Sequence, residues 1–177
     1  QSHAIFPRDT FGISIDFPGY YNATWNQAIA ETNIDVGLGD GVITNIMGYR
    51  QFRSRAASDI DGTPQHFFNG YFNINQEQIS DELRYSGKIG AVEVTTGLYY
   101  FAQDLAYAEQ RDLLGGARIL SGGGTQDQTT WGAFASADWH FSNTLTLNIG
   151  GRYSWERKAV RIAPLGANGC DVNTLRC

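Results

Sequence analysis

Asp59-Ile60-Asp61-Gly62-Thr63-Pro64 sets two carboxylates one residue apart beside a turn, oxygen donors of the kind a hard cation such as Ca²⁺ takes. The segment lacks the third acidic position and the distal glutamate of an EF-hand loop, so a polar surface turn is the expected role. His66-Phe67-Phe68 follows, with Tyr71 and Phe72 close behind, concentrating aromatic rings in what reads as a long loop. Such rings stack on an aromatic or metal-bearing ligand, or simply pack the loop against the protein body or a membrane interface. Asp59, Asp61, His66, Phe67, Phe68 and Tyr71 are therefore the candidate ligand-contact residues.

Other chemistry is sparse. His3, His66 and His140 are far apart in sequence and form no evident nucleophile–base set, so no enzymatic activity is expected. Gly122-Gly123-Gly124-Thr125 has no following Lys, and a strand rather than a helix follows Gly37, Gly39 and Gly41. Both read as turn or flexible loop, and no cofactor or metal is expected. Cys170 and Cys177 stand in a polar tail, where a disulfide closing a small loop suits an oxidising compartment; two unrelated thiols are the alternative.

The elements that must position these residues are strands. Asp127–Lys158 holds two alternating runs broken at Ser142-Asn143. Trp131, Ala133, Ala135, Ala137, Trp139 and Phe141 share one face of the first run, opposite Thr130, Gly132, Phe134, Ser136, Asp138 and His140. Leu145, Leu147, Ile149, Gly151, Tyr153 and Trp155 share a face of the second. One side is apolar with aromatics toward its ends; the other is polar except for Phe134. Trp131 and Trp139 are eight residues apart, roughly 26 Å along a strand and about 20 Å upright at a tilt of about 40°. That approaches the height of a membrane barrel's apolar band, so Trp131, Trp139, Phe141, Tyr153 and Trp155 are candidate girdle residues facing lipid.

Four further runs complete three hairpins: Thr24–Leu38 with Val42–Arg53, turning at Gly39-Asp40-Gly41, and Gln76–Ser86 with Ala91–Asp104. The alternation of Val42–Arg53 is too poor to assign its faces. Connections after the first, third and fifth runs are short, whereas Ser54–Asn75, Glu109–Gln126 and Ala159–Cys177 read as long loops. Outer-membrane barrels have this asymmetry, with short periplasmic turns and long extracellular loops. The runs last about 11–15 residues against about 5–6 for soluble strands. A soluble β-sandwich remains the competing reading, since it too has one apolar face.

Composition limits the function classes. With 42% hydrophobic residues and no run near 18 consecutive apolar ones, a transmembrane helix is excluded, but a membrane strand is not. A net charge of −5 gives no reason to expect nucleic-acid binding.

Glu77-Gln78-Ile79-Ser80-Asp81-Glu82-Leu83-Arg84, then Thr96-Gly97-Leu98-Tyr99-Tyr100-Phe101, resembles consecutive barrel strands of TonB-dependent outer-membrane receptors. Met47-Gly48-Tyr49-Arg50, Trp131-Gly132-Ala133-Phe134 and Gly150-Gly151-Arg152-Tyr153-Ser154 are similar to further pieces in the same order, so the resemblance covers roughly 23–158. It implies an all-β chain: about six antiparallel strands of a transmembrane β-barrel, an interior part of a larger plugged barrel. Residues 1–177 are then a partial barrel domain, with plug and C-terminal strands outside this sequence. The resemblance also implies the outer membrane of a Gram-negative bacterium, TonB acting through the plug region, and a scarce nutrient such as an iron-siderophore complex as ligand. Ser142-Asn143 becomes a periplasmic turn, Trp131 and Trp155 lie toward the cell exterior, and Trp139 belongs to the inner girdle. A passive porin or structural barrel is the alternative.

Overall fold

A computed structural model describes residues 14–166. They form one antiparallel sheet of six strands in sequence order: β1 (Tyr20–Val36), β2 (Gly41–Asp59), β3 (Phe68–Ile89), β4 (Val92–Leu113), β5 (Arg118–Ser142) and β6 (Leu145–Gly166). The only helical element among the described residues is the 3₁₀ turn Leu38–Asp40 between β1 and β2, where Gly39 takes a φ of 61° that glycine adopts without a side-chain clash. No described helix is long and apolar enough to cross a membrane.

Pairing register fixes the faces. Residues opposite one another across neighbouring strands point to the same side. Ala30, Met47, Asp81, Tyr100, Trp131 and Trp155 therefore form one cross-strand row. Alternate rows below it carry Leu83, Leu98, Ala133 and Tyr153, then Ile34, Ile43, Tyr85 and Ala135, down to Ile89, Val92, Trp139 and Leu147. This settles β2: Ile43, Asn45, Met47 and Tyr49 share the apolar face, and Thr44, Ile46, Gly48 and Arg50 the other. Tyr85 covers Gly41 and Gly87 and donates its hydroxyl to the Leu38 carbonyl at 2.6 Å, tying the β1–β2 turn to β3.

The sheet has no interior of its own. Among the described residues only Ala57 and Ala163 are buried apolar residues, while Leu98, Ile149, Tyr153 and Trp155 are each more than half exposed. A β-sandwich needs a second sheet about 10 Å away to cover such a face, and the described residues contain one sheet.

The strands also run further than their alternation suggests. They span 17 to 25 residues, roughly twice the 9–11 that cross a bilayer. The expected loop Ser54–Asn75 shrinks to residues 60–67, because β2 continues to Asp59 and β3 starts at Phe68. Phe68 and Tyr71, expected in a loop, are strand residues. The expected loop Glu109–Gln126 shrinks to residues 114–117, and Gly122–Thr125 lies inside β5 rather than in a flexible loop. Beyond Ala159, β6 continues to Gly166; Cys170, Cys177 and the disulfide expected between them lie outside the described residues. The asymmetry is smaller but keeps its direction: residues 60–67 and 114–117 at one end, 37–40, 90–91 and 143–144 at the other.

Candidate functional site

Long strands lift the far ends of β2–β5 well beyond the apolar rows, and the candidate ligand residues gather there. The 60–67 loop is organised by its own carboxylates. Asp59 Oδ1 accepts the Gly62 amide at 2.7 Å and its Oδ2 accepts the Asp16 amide at 3.2 Å. Asp61 accepts the Thr63 amide at 3.0 Å, the Thr63 hydroxyl, and the Phe68 amide at 2.7 Å. The Thr63 hydroxyl, more than any other group, holds the Asp61 carboxyl below the ordinary carboxylate range; partial burial opposes it, and the Phe68 and Thr63 amides add to it. With their oxygens turned to backbone amides, Asp59 and Asp61 cap the loop, and among the described residues no cluster of His, Cys, Asp and Glu is arranged to hold a metal ion.

The remaining candidates are split. His66 Nδ1 stands 3.9 Å from Asp16, while Phe67 is exposed where the loop enters β3, its carbonyl accepting the Leu114 amide at 2.9 Å. Tyr71 lies within β3, its ring centroid 6.2 Å from that of Phe17. Burial pushes its hydroxyl pKa up, and the nearby Asp112, Tyr20 and Asp16 add to that. The structure therefore brings Asp59, Asp61 and His66 to one rim but does not gather the aromatics into one ligand pocket.

The polar face carries a feature the sequence reading missed. Gln27, Arg50, Gln78, Gln103, Gln128 and Lys158 are successive cross-strand partners, one from each strand, forming a continuous row of amides and cations. Gln103 Oε1 accepts from Gln78 Nε2 at 2.6 Å and from Gln76 Nε2 at 2.7 Å, and Gln128 donates to Glu156 at 3.0 Å. Toward the far end, Arg50 lies over the Trp25 ring at 3.7 Å and Trp25 meets Phe52 edge-on at 6.4 Å. Toward the short-turn end, Arg84 pairs with Glu82 at 3.5 Å, and Arg152 stacks over Tyr99 at 5.3 Å. Each residue is unremarkable in isolation; only register reveals the row. Hydrogen-bond donors, acceptors and flat rings on one face suit a polar, partly aromatic ligand or a second protein surface.

On the opposite face, the candidate girdle residues meet across strands. Trp131 and Trp155 are direct partners, and the Tyr100 ring lies 4.4 Å from that of Trp131. Trp139 and Phe141 stack at 3.9 Å near the opposite end. Asn45 and Asp81 are polar exceptions on this face, and Asn45 Nδ2 donates to Asp81 at 2.6 Å.

Comparison with known proteins gives one family: a model described as "TonB dependent receptor-like, beta-barrel" matches residues 4–168. No curated protein and no solved structure matches.

Proposed function

The chain belongs to the TonB-dependent receptor β-barrel family, and from that premise we propose that it is part of the wall of an active importer in a Gram-negative outer membrane. The carrying observation is the two-sidedness of the single sheet. One face has an apolar band closed by Trp139 and Phe141 below and by Tyr100, Trp131 and Trp155 above; the other has a row of amides and cations with one residue from each strand. A wall between lipid and an aqueous lumen needs that division. Further strands and a plug domain elsewhere in the protein complete the barrel, and energy reaches the plug through TonB. On this reading the row from Gln27 to Lys158 faces the plug and the ligand path, and the rim at Asp59, Asp61 and His66 is the outer entrance. An iron-siderophore complex fits a lumen lined with amides, cations and rings.

Uptake of a labelled ferric siderophore by cells carrying the intact protein tests this. Import should stop when the gene is disrupted and also when an uncoupler collapses the proton gradient. Uptake that survives the uncoupler and follows the outside concentration would instead identify a passive porin.

A further inference from the structure

Above the aromatic rows, the lipid-facing side of the sheet turns polar without ending. On β2 the outward column continues from Tyr49 through Gln51 to Arg53 and Arg55. Beside it a groove of about 1080 Å³ crosses β1–β4, with the Asn73 and Asn75 amides on β3 and a low floor at Ala106 and Ala108 on β4. Arg53 and Arg55 are exposed, and among the described residues neither has a carboxylate within ion-pair reach.

We infer that this groove takes the phosphorylated headgroup of an outer-leaflet lipid; the inference rests on the membrane reading above. Position is the first argument. Arg53 and Arg55 stand four and six residues beyond Tyr49, about 10 and 15 Å above it along the membrane normal at ordinary strand rise and tilt. That is beyond the aromatic row of Met47, Tyr100 and Trp131, outside the lumen and on the same outward column as the apolar band below. Charge is the second. Two neighbouring guanidiniums with no carboxylate partner among the described residues complement a phosphate, to which arginine offers paired donors, and the amides beside them can bond a sugar or linking oxygen. The surrounding charges give direction. Glu77, Asp104 and Asp127 form one row just beneath the groove on β3, β4 and β5, where they repel an anion. In the same row β1 and β2 carry the neutral Asn26 and Gln51, and Gln51 donates to Glu77 at 2.6 Å. A headgroup is thus steered to the β1–β2 side, against the arginines.

The test uses the intact protein, purified in mild detergent and freed of native lipid. Binding of diphosphoryl lipid A and of phosphatidylcholine is followed by native mass spectrometry for wild type, Arg53→Gln/Arg55→Gln, Arg53→Lys/Arg55→Lys and Glu77→Gln. Wild type should retain lipid A over phosphatidylcholine, and the double Gln variant should bind it about thirty-fold more weakly, as expected for two interfacial cations. The Lys pair should keep most of the binding, and Glu77→Gln, which removes a repelling carboxylate, should bind at least as tightly as wild type. Equal retention by the double Gln variant would overturn the proposal. So would displacement by millimolar inorganic phosphate, which would assign the groove to a soluble anion. Quenching of Trp131 and Trp155 by brominated phosphatidylcholine is read in parallel. Quenching with unchanged retention removes the headgroup groove alone, whereas no quenching removes the membrane reading beneath it.

Discussion

Phe134 covers Gly97. The two are direct partners across β4 and β5, and a methyl group on Gly97 would meet Phe134 Cζ at 2.6 Å and the Leu83 carbonyl oxygen at 2.7 Å. This explains the one apolar ring in an otherwise polar series on that run. The ring shields a glycine whose missing side chain would leave the strand backbone open, a pairing also used to stabilise designed sheets.

Replacing Gly97 with Ala should therefore destabilise the barrel by about 1–3 kcal/mol, the usual cost of forcing volume into a filled site. The midpoint of the heat-induced gel-mobility shift reads the loss. In a Phe134→Ala background the same replacement should cost less, though not nothing, because the Leu83 carbonyl stays in place. Equal costs in both backgrounds would refute the ring's part in this.

The strand order, the hairpins and the apolar face were legible from alternation because lipid or core on one side and water on the other impose period two. That contrast disappears above Tyr49 and Tyr100, where both faces meet polar surroundings. Arg55, Asn73 and Asn75 then look like loop residues although their backbones remain paired. Gly122–Thr125 misled for a related reason. Glycine suggests a turn, but between two paired strands it marks close approach: a Cβ on Gly124 would lie 2.8 Å from the Arg161 carbonyl oxygen. The row from Gln27 to Lys158 was hidden because it depends on register across five pairings, and a one-residue slip at any of them would dissolve it.

Asn45 and Asp81 give a second prediction. They lie on the apolar face amid Met47, Leu83 and Tyr100, and the amide of one satisfies the carboxylate of the other at 2.6 Å. Removing one partner is costlier than neutralising the pair, because it strands the remaining polar group. Asn45→Leu should lose about 1–3 kcal/mol, the penalty for an unsatisfied buried acceptor, in refolding titrations into phospholipid. Asp81→Asn, which keeps a hydrogen bond and removes a charge from the lipid side, should lose less or gain. The reverse order would mean that water, not Asn45, satisfies Asp81.

The rim loop supplies a pH-dependent prediction through Asp61. Its carboxylate accepts the Phe68 amide at 2.7 Å, with the Thr63 hydroxyl the largest influence lowering its pKa from the ordinary 3.8. A carboxyl depressed in the folded protein contributes stability that is fully present above the ordinary value and is lost as pH falls through the depressed one. Loop order should thus be constant at neutral pH and fall only in strong acid. Hydrogen exchange at the Phe68 amide measures this directly, since that amide is released when Asp61 takes up a proton. Asp61→Asn should remove the acid dependence and raise exchange at neutral pH, because a neutral amide is a weaker acceptor for the same group. It should also raise chymotryptic cleavage after Phe67, the exposed ring of the loop. A variant whose Phe68 amide exchanges as slowly as wild type at neutral pH would show that the β3 ladder, rather than Asp61, closes the rim.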